Sequence, residues 1–252
     1  MKTLEALIFD VDGTLAETER DGHRVAFNQA FKEFGLSWHW PVGLYGQLLR
    51  VAGGKERIHY YVRRYQPTFE IEAMDELVVA LHQAKARHFQ ALVESNVIPL
   101  RPGVRRLIEA AQREGVRLAI ATTSAKDSVI PLLERLLGPE SPRWFEVIAA
   151  GDMVPAKKPA PDIYELVVKA MGLTPATCLV IEDSQQGLEA AIAAGLTTVV
   201  TVNDYTRAHS LAAARLVISH LGEPNLPFEV LQGEAAQAYY FSLDLAQALL
   251  PA

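Results

Sequence analysis

Carboxylates, hydroxyl groups and a lysine recur along the chain where short apolar runs end. They occur in four stretches: Asp10-Val11-Asp12-Gly13-Thr14, Thr122-Thr123-Ser124, Lys157-Lys158-Pro159 and Glu182-Asp183-Ser184. An Asp carboxylate can attack phosphorus and form an acyl phosphate, while a nearby second Asp can protonate the leaving oxygen and later activate water. The first stretch therefore predicts phosphoryl-transfer chemistry, with Asp10 as the nucleophile and Asp12 as the acid and base.

The carboxylates also predict a divalent cation as a cofactor. Carboxylate groups that share one cleft repel each other unless a cation lies among them, and ligation by oxygen atoms alone favours Mg2+. Phosphoryl transfer further requires stabilisation of the charge on the phosphoryl oxygens. The Thr122 hydroxyl, the backbone amides that follow it and the Lys158 ammonium group are suited to this task.

Each stretch has a purely structural explanation as well. An Asp-Gly pair such as Asp12-Gly13 commonly forms a turn, and Thr122-Thr123-Ser124 and Asp183-Ser184 could each cap the N-terminus of a helix. Lys157-Lys158 could be a solvated loop. The four stretches occur together, in this order and at the ends of predicted elements, and that combination favours the catalytic interpretation.

The segments around these stretches predict a parallel sheet. Residues 4–9 form a short apolar run that is typical of a buried strand. After residue 98 helices and strands alternate, which indicates crossover units. The predicted helices span 104–114, 126–137, 161–171 and 185–194, and the predicted strands span 117–121, 145–149, 178–181 and 197–202. Because the carboxyl ends of parallel strands meet at one edge, the four stretches should converge there.

Between the first strand and residue 99 the apolar residues recur at helical spacing, and strand signals are nearly absent. The predicted fold class is therefore α/β, with a Rossmann-like parallel-sheet core and an inserted α-helical cap domain. The core comprises residues 1–14 and 99–222, and the cap comprises residues 15–98. Residues 223–252 are predicted to be a C-terminal extension with a final helix near 235–250.

The composition excludes several classes of protein. The chain has 252 residues, of which 50% are hydrophobic and 21% charged, as in a globular protein that buries a core. It contains no long apolar window and begins with a strand-like run rather than a signal peptide, so we expect a cytoplasmic protein without a membrane segment. The net charge of −6 argues against nucleic-acid binding. The expected partner is a small phosphorylated molecule, and the oligomeric state stays open, a monomer included.

Taken together, the motifs resemble those of the haloacid dehalogenase superfamily of phosphotransferases, in which a helical cap can follow the first motif. The resemblance implies that Asp10 is the nucleophile and that Asp12 is the acid and base, with the backbone carbonyl of Asp12 also on magnesium. Thr122 matches the hydroxyl of the second motif and Lys158 the lysine of the third.

Glu182-Asp183 matches the acidic fourth motif, which implies Asp183 as a metal ligand and Glu182 as a second one. The dehalogenases of the superfamily lack the second Asp and the metal. The presence of Asp12 and of the acidic pair therefore places the chain among the phosphatases or mutases.

Two further stretches resemble the CbbY-type sugar-phosphate phosphatases, whose members act on xylulose 1,5-bisphosphate, an inhibitor of the carbon-fixing enzyme Rubisco. They are residues 15–28, LAETERDGHRVAFN, and Gly53-Gly54-Lys55-Glu56-Arg57. The β-phosphoglucomutases share Lys158-Pro159-Ala160-Pro161-Asp162 and the fourth motif, so a mutase is the main enzymatic alternative. Thr14 after Asp-Gly favours a phosphatase.

A bisphosphate has a second anionic group that the core site cannot also neutralise, so cap residues are expected to bind it. The cationic candidates are His23, Arg24, Lys55 and Arg57, and the candidates for sugar hydroxyls are Glu17 and Asn28. On the core side, Thr123, Ser124 and Lys126 follow the second motif and could also bind substrate. Such polar residues commonly do no more than face water. The remaining histidines, including His82, show no metal-binding spacing.

Two other classes of protein remain to be distinguished. A receiver-type phosphorylated switch also sets acidic residues and a hydroxyl at the end of a parallel sheet, but the inserted helical domain and a built-in general base at Asp12 argue against it. A binding module without turnover is disfavoured because every catalytic position is filled. Steady release of phosphate with magnesium would exclude both.

Overall fold

A mostly parallel sheet organises the fold. The computed structural model describes residues 3–51, 53–69, 72–151 and 153–251. Its strands are β1 (Ala6–Phe9), β2 (Arg117–Ala121), β3 (Val147–Ala149), β4 (Cys178–Glu182), β5 (Thr197–Thr201), β6 (Leu216–Ile218) and β7 (Val230–Gly233). They form one seven-stranded sheet in the order β3-β2-β1-β4-β5-β6-β7, in which only the β6–β7 pair is antiparallel.

The position of β1 at the centre of the sheet brings the motifs together. Phe9, the last residue of β1, pairs with Ile120 on one side and with Ile181 on the other. The residues that follow these positions in β1, β2 and β4 therefore emerge side by side at the carboxyl edge. Strand order changes direction at β1, which is where open α/β sheets bind their ligands.

Helices cover the sheet and complete its core. They are α5 (Val104–Glu114), α6 (Lys126–Leu137), α7 (Asp162–Met171), α8 (Gln185–Ala193) and α9 (Leu243–Leu249). In α7, Ile163, Tyr164 and Val167 are buried and pack with alternate residues of the strands, such as Ala6 and Ile8. This spacing follows the helical period on one element and the strand period on the other.

A second compact unit consists of Thr18–Ile98, whereas Met1–Glu17 and Pro99–Ala252 form the unit that contains the sheet. The second unit contains a π-helix at Thr18–His23 and four α-helices: α1 (Arg24–Glu33), α2 (Val42–Leu48), α3 (Gly54–Tyr65) and α4 (Met74–Glu94). Stacked and edge-on aromatic rings form its centre, with Phe27, Phe31, Trp40, Tyr45 and Tyr61 buried. None of the helices in the part of the chain that the structure describes is long and apolar enough to cross a membrane.

The α/β fold with its largely parallel sheet and inserted helical segment confirms the predicted fold class. The C-terminal region differs from the prediction because β6 and β7 add to the sheet and the last helix is short. Ser242 caps α9 by accepting a hydrogen bond from the Leu245 backbone N–H. Ala236 has a φ of 50°, in the left-handed region, which interrupts the helix predicted near 235–250.

Candidate active site

Asp10 lies at the centre of a buried group of charges. It follows β1, and its backbone N–H donates to the Ile181 carbonyl at 3.0 Å, so its position is fixed by the neighbouring strand. Its carboxylate accepts a hydrogen bond from Lys158 Nζ at 2.8 Å. Burial raises the pKa of Asp10 to about 7, against the opposing effect of Lys158 and with the support of nearby Glu182 and Asp12.

Asp12 is hydrogen-bonded to a residue of the second motif. Ser124 Oγ donates to Asp12 Oδ2 at 2.5 Å, and the Ser124 backbone N–H donates to Thr122 Oγ1 at 3.1 Å. Asp12 remains partly exposed, whereas Thr122 is buried. The structure thus brings the first and second motifs together, because Ser124 is hydrogen-bonded to Asp12, the predicted acid and base. Thr123 and Lys126 are exposed beside this loop.

The Lys158 side chain contacts several groups of the site. Its ammonium group contacts Asp10, the Ala121 carbonyl at 2.9 Å and Glu182 Oε1 at 2.5 Å. Burial works against the charged form, but Asp10 and Glu182 outweigh it, so the pKa of Lys158 is raised well above its ordinary value. Lys158 is therefore a permanent cation beside Asp10, the predicted nucleophile.

Tyr164 is a site residue that the sequence analysis missed. It lies on α7, is fully buried and donates from its hydroxyl to Glu182 Oε1 at 2.5 Å. The same carboxylate accepts hydrogen bonds from the Ser184 backbone and hydroxyl through Oε2. The hydrogen bonds therefore fix the Glu182 carboxylate, which in turn orients the Lys158 ammonium group. Only the tertiary contact between α7 and β4 reveals this role.

Asn203, which follows β5, is the second missed residue. Its side-chain amide donates to Asp183 Oδ2 at 2.6 Å. The left-handed φ of Gly13, 83°, and its lack of a side chain are required here, since a Cβ would lie 2.5 Å from Asp183 Oδ2 and 2.6 Å from the Asn203 amide. The rule that polar residues after strands face the site would have found Asn203, had it been applied to the strand predicted at 197–202.

Three of these carboxylates form a cluster that fits a cation. Asp10, Glu182 and Asp183 each offer an oxygen, and these atoms lie within 4.8 Å of one another. Burial and the charges of Asp10 and Glu182 raise the pKa of Asp183 well above its ordinary value. A divalent cation would restore the ionised forms, and an all-oxygen donor set suits Mg2+. Because both Glu182 oxygens already accept hydrogen bonds, Asp10 and Asp183 are the better placed ligands.

In the helical unit, several of the predicted binding residues bond to neighbours in the same unit. Arg57 donates to the Leu48 carbonyl at 3.2 Å, to the Tyr45 hydroxyl at 3.2 Å and to the Val51 carbonyl at 3.3 Å. Arg24 and Asn28 both donate to the Trp40 carbonyl, at 3.4 and 3.0 Å. These contacts give Arg57, Arg24 and Asn28 roles in the structure of this unit.

His23 and Lys55 belong instead to a group of basic side chains, with His82 and Lys85. Lys85 Nζ lies 2.9 Å from His23 Nδ1. Burial lowers the pKa of His82, and the charges of Lys85, Lys55 and His23 act in the same direction, against that of Glu56. Lys85 and His82 were not singled out from the sequence, because their neighbours come from different helices.

Comparison with known proteins gives the family. The model of haloacid dehalogenase-like hydrolases matches residues 4–195. This chain belongs to the haloacid dehalogenase-like hydrolase family. Protein CbbY of Cupriavidus necator is 46% identical over 228 residues, which cover 89% of this chain and 88% of that protein. A phosphorylated carbohydrates phosphatase of Thermotoga maritima is 32% identical over 196 residues, 77% of this chain and 82% of that protein.

A crystal structure within the family provides a structural counterpart. CbbY from Rhodobacter sphaeroides, as a variant in complex with xylulose 1,5-bisphosphate, has 40% sequence identity and a TM-score of 0.77, covering 88% of this chain and 97% of that one. The predicted superfamily, the CbbY-type relationship and the phosphatase class are confirmed. The chain is a phosphatase of the CbbY type.

Proposed function

We propose that this phosphatase depends on magnesium and removes a phosphoryl group from a small sugar phosphate, with xylulose 1,5-bisphosphate as its preferred substrate. The observation that carries the proposal is the contact of Asp10 with Lys158 at 2.8 Å beside Glu182 and Asp183. The CbbY structure in complex with that bisphosphate supports the choice of substrate.

Asp10 is the proposed nucleophile. Its carboxylate attacks phosphorus and forms an aspartyl phosphate, while the bond from phosphorus to the sugar oxygen breaks. The Lys158 ammonium group, permanently charged, binds the phosphoryl oxygens and stabilises their negative charge as the bond breaks. Tyr164 and Glu182 hold that ammonium group in place.

Asp12 is the proposed acid and base. It gives a proton to the leaving sugar oxygen, and then takes a proton from the water that attacks the aspartyl phosphate, which returns Asp10 to its free form. The Ser124 hydroxyl orients the Asp12 carboxylate for both steps. Thr122 Oγ1 fixes the Ser124 backbone and so supports the same loop.

Asp10 and Asp183 would bind the magnesium ion with their carboxylates, and Asp12 with its backbone carbonyl, as the resemblance implies. When bound, Mg2+ supplies positive charge that offsets the repulsion between the carboxylates and the phosphate. Asn203 keeps Asp183 turned toward the site. Lys55 and His23 are the proposed ligands of the distal phosphate, because they lie in the group of basic side chains of the helical unit.

The test is a panel of sugar monophosphates and bisphosphates, assayed for free phosphate with Mg2+ and with a chelator. We expect release to be fastest from the ketopentose bisphosphate and to stop in the chelator. Asp10→Asn should abolish release while the protein stays folded, because an amide cannot attack phosphorus. Asp244→Asn, at an exposed first-turn position of α9, is the matched control and should retain full turnover.

Each part of the proposal can fail separately. Full activity in the chelator would contradict the magnesium site, and near-normal release by Asp10→Asn would contradict the nucleophile. Transfer of the phosphoryl group to a second sugar, without free phosphate, would identify a mutase instead.

A further inference from the structure

Arg101 has a buried guanidinium group at the point where the chain returns to the α/β unit. Its side chain is 5% exposed, and its Nε lies 3.0 Å from Glu17 Oε1. Nη1 donates to the carbonyls of Gly13 and Thr201, and Nη2 donates to the carbonyls of Val202 and Ser219. All three nitrogen atoms of the guanidinium group therefore contact oxygen atoms.

The acceptors belong to segments that carry the active site. Gly13 is in the loop of Asp10 and Asp12. Thr201 ends β5, and Val202 follows it directly before Asn203, which holds Asp183. Ser219 directly follows β6. The Arg101 side chain thus connects the loop of Asp10 and Asp12 to the ends of β5 and β6, which lie in the half of the sheet that contains Asp183.

Through Glu17, the contacts of Arg101 extend to the segments where the chain passes between the two units. The chain leaves the α/β unit after Glu17 and returns at Pro99. The two crossing segments pair with each other, because the Glu17 N–H donates to the Pro99 carbonyl at 3.2 Å and the Arg101 N–H donates to the Leu15 carbonyl at 2.9 Å. Arg101 is therefore anchored to both crossing segments as well as to the nucleophile loop.

A purely structural position does not require a buried arginine. Removing a guanidinium group from water costs free energy, and well-packed apolar residues often serve stability as well or better. Burial lowers the pKa of Arg101, against the opposing charges of Glu17 and Asp183. Its planar fork offers five donors in a fixed geometry, whereas a lysine ammonium group offers three. Arg101 therefore acts through the fixed geometry of its hydrogen bonds.

We propose that Arg101 is a positioning residue for phosphoryl transfer, which fixes the Gly13 carbonyl and so the loop of Asp10 and Asp12 against the ends of β5 and β6. This inference rests on the proposed role of that loop in catalysis. Arg101 acts through Gly13 and Glu17 and touches no reacting group itself.

Arg106 provides a matched control. It donates to the carbonyls of Leu221 and Gly222 at 3.2 and 2.9 Å, its Nε lies 3.2 Å from a Glu223 carboxylate oxygen, and its guanidinium lies over the Tyr240 ring. It thus makes the same kinds of contact as Arg101, but with segments that carry none of the four motifs.

The experiment compares Arg101→Lys with Arg106→Lys, each with p-nitrophenyl phosphate and Mg2+, below the midpoint of thermal unfolding. This aryl ester lacks the sugar and the second phosphate, so its turnover does not depend on substrate identity. Lysine keeps the charge but offers fewer donors. We expect Arg101→Lys to lower kcat roughly 10- to 100-fold with a much smaller change in KM, as misplaced catalytic groups do, and Arg106→Lys to stay close to wild type.

A second measurement is independent of turnover. Amide hydrogen exchange in residues 10–17 and 201–203 should become faster in Arg101→Lys and stay unchanged in Arg106→Lys. A kcat for Arg101→Lys as high as that of Arg106→Lys would overturn the proposal, as would unchanged exchange in the two segments. A wild-type protein that hydrolyses no phosphate ester would contradict the proposed function, and the exchange result would then decide the role of Arg101 alone.

Discussion

At the scale of single residues, the site concentrates negative charge where water is excluded. Asp10, Glu182 and Asp183 are buried within 4.8 Å of one another, and the Lys158 ammonium group contacts two of them. Burial is the main cause that raises the pKa of Asp10 and that of Asp183, and the charges of neighbouring carboxylates add to it, against the opposing charges of Lys158 at Asp10 and Arg101 at Asp183. The excess of negative charge is a physical reason for a divalent cation at this site.

The first prediction concerns pH and magnesium. The pKa of Asp10 rises from an ordinary 3.8 to about 7 on folding, so the folded chain holds this proton to higher pH than the unfolded chain. The stability contribution is therefore fully present below about pH 4 and is lost as pH rises through about 7. Because Mg2+ binds the ionised carboxylates, we expect it to raise the thermal midpoint more at about pH 8 than at about pH 5.5.

The measurement is the midpoint of thermal unfolding with Mg2+ and with a chelator at the two pH values. Asp10→Asn serves as the control, since it lacks this ionisation and its midpoint in the chelator should fall less as pH rises. An equal magnesium effect at both pH values would show that the carboxylates are not the group that links pH to binding.

At the scale of elements, the sequence predicts what local patterns encode. The strands β1, β2, β4 and β5 and the helices α5 to α8 fall within a few residues of their predicted positions, because apolar periodicity and turn residues mark their limits. The roles of Tyr164 and Asn203 were not predicted, since they depend on which elements become neighbours. The short β6 and β7 were missed for the same reason, as β7 is stabilised by pairing with β6 while its own side chains are largely exposed.

The second prediction concerns the start of α8. A Cβ on Gly187 would lie 1.9 Å from the Glu182 carboxyl carbon, so the close approach of helix and carboxylate requires glycine. Gly187→Ala should push Glu182 away from Lys158 and lower turnover, with a loss of stability of about 1–3 kcal/mol from overpacking. Kinetic assays and denaturant unfolding of the variant measure the two effects.

Gly43→Ala in α2 is the matched control for that substitution. Nothing lies within 4 Å of a Cβ built on Gly43, so the helix propensity of alanine should make this variant neutral or more stable, by up to about 1 kcal/mol. If Gly187→Ala were also neutral in both stability and turnover, Glu182 could not have the fixed position that we assign to it.

At the scale of the whole molecule, the proposed chemistry and the proposed substrate selectivity belong to different units. The motif residues that touch Asp10 all belong to the α/β unit, whereas the group of basic side chains formed by His23, Lys55, His82 and Lys85 belongs to the unit of Thr18–Ile98. Binding energy from a remote phosphate can then contribute to turnover as well as to affinity. Substrates with one and with two phosphates separate the two contributions.

The last prediction uses Lys55 and Arg57, two neighbouring cations with different surroundings. Lys55 is exposed within the group of basic side chains, whereas Arg57 donates hydrogen bonds to the Leu48 and Val51 carbonyls and the Tyr45 hydroxyl. A charge-assisted hydrogen bond contributes about 1.5–3 kcal/mol, so Lys55→Ala should lower kcat/KM roughly tenfold on a ketopentose bisphosphate and leave the matching monophosphate unaffected. Arg57→Ala should lower both activities and the thermal midpoint.

The comparison needs a control in the same unit, and Lys32→Ala at the exposed end of α1 provides one that should behave as wild type on both substrates. A selective loss in Lys55→Ala requires a contact that only the distal phosphate can make, because the monophosphate shares every other group. Equal loss on both substrates would assign Lys55 a structural role like that of Arg57. No loss on either would leave the distal phosphate to His23 and Lys85, whose side chains already lie within hydrogen-bonding distance of each other.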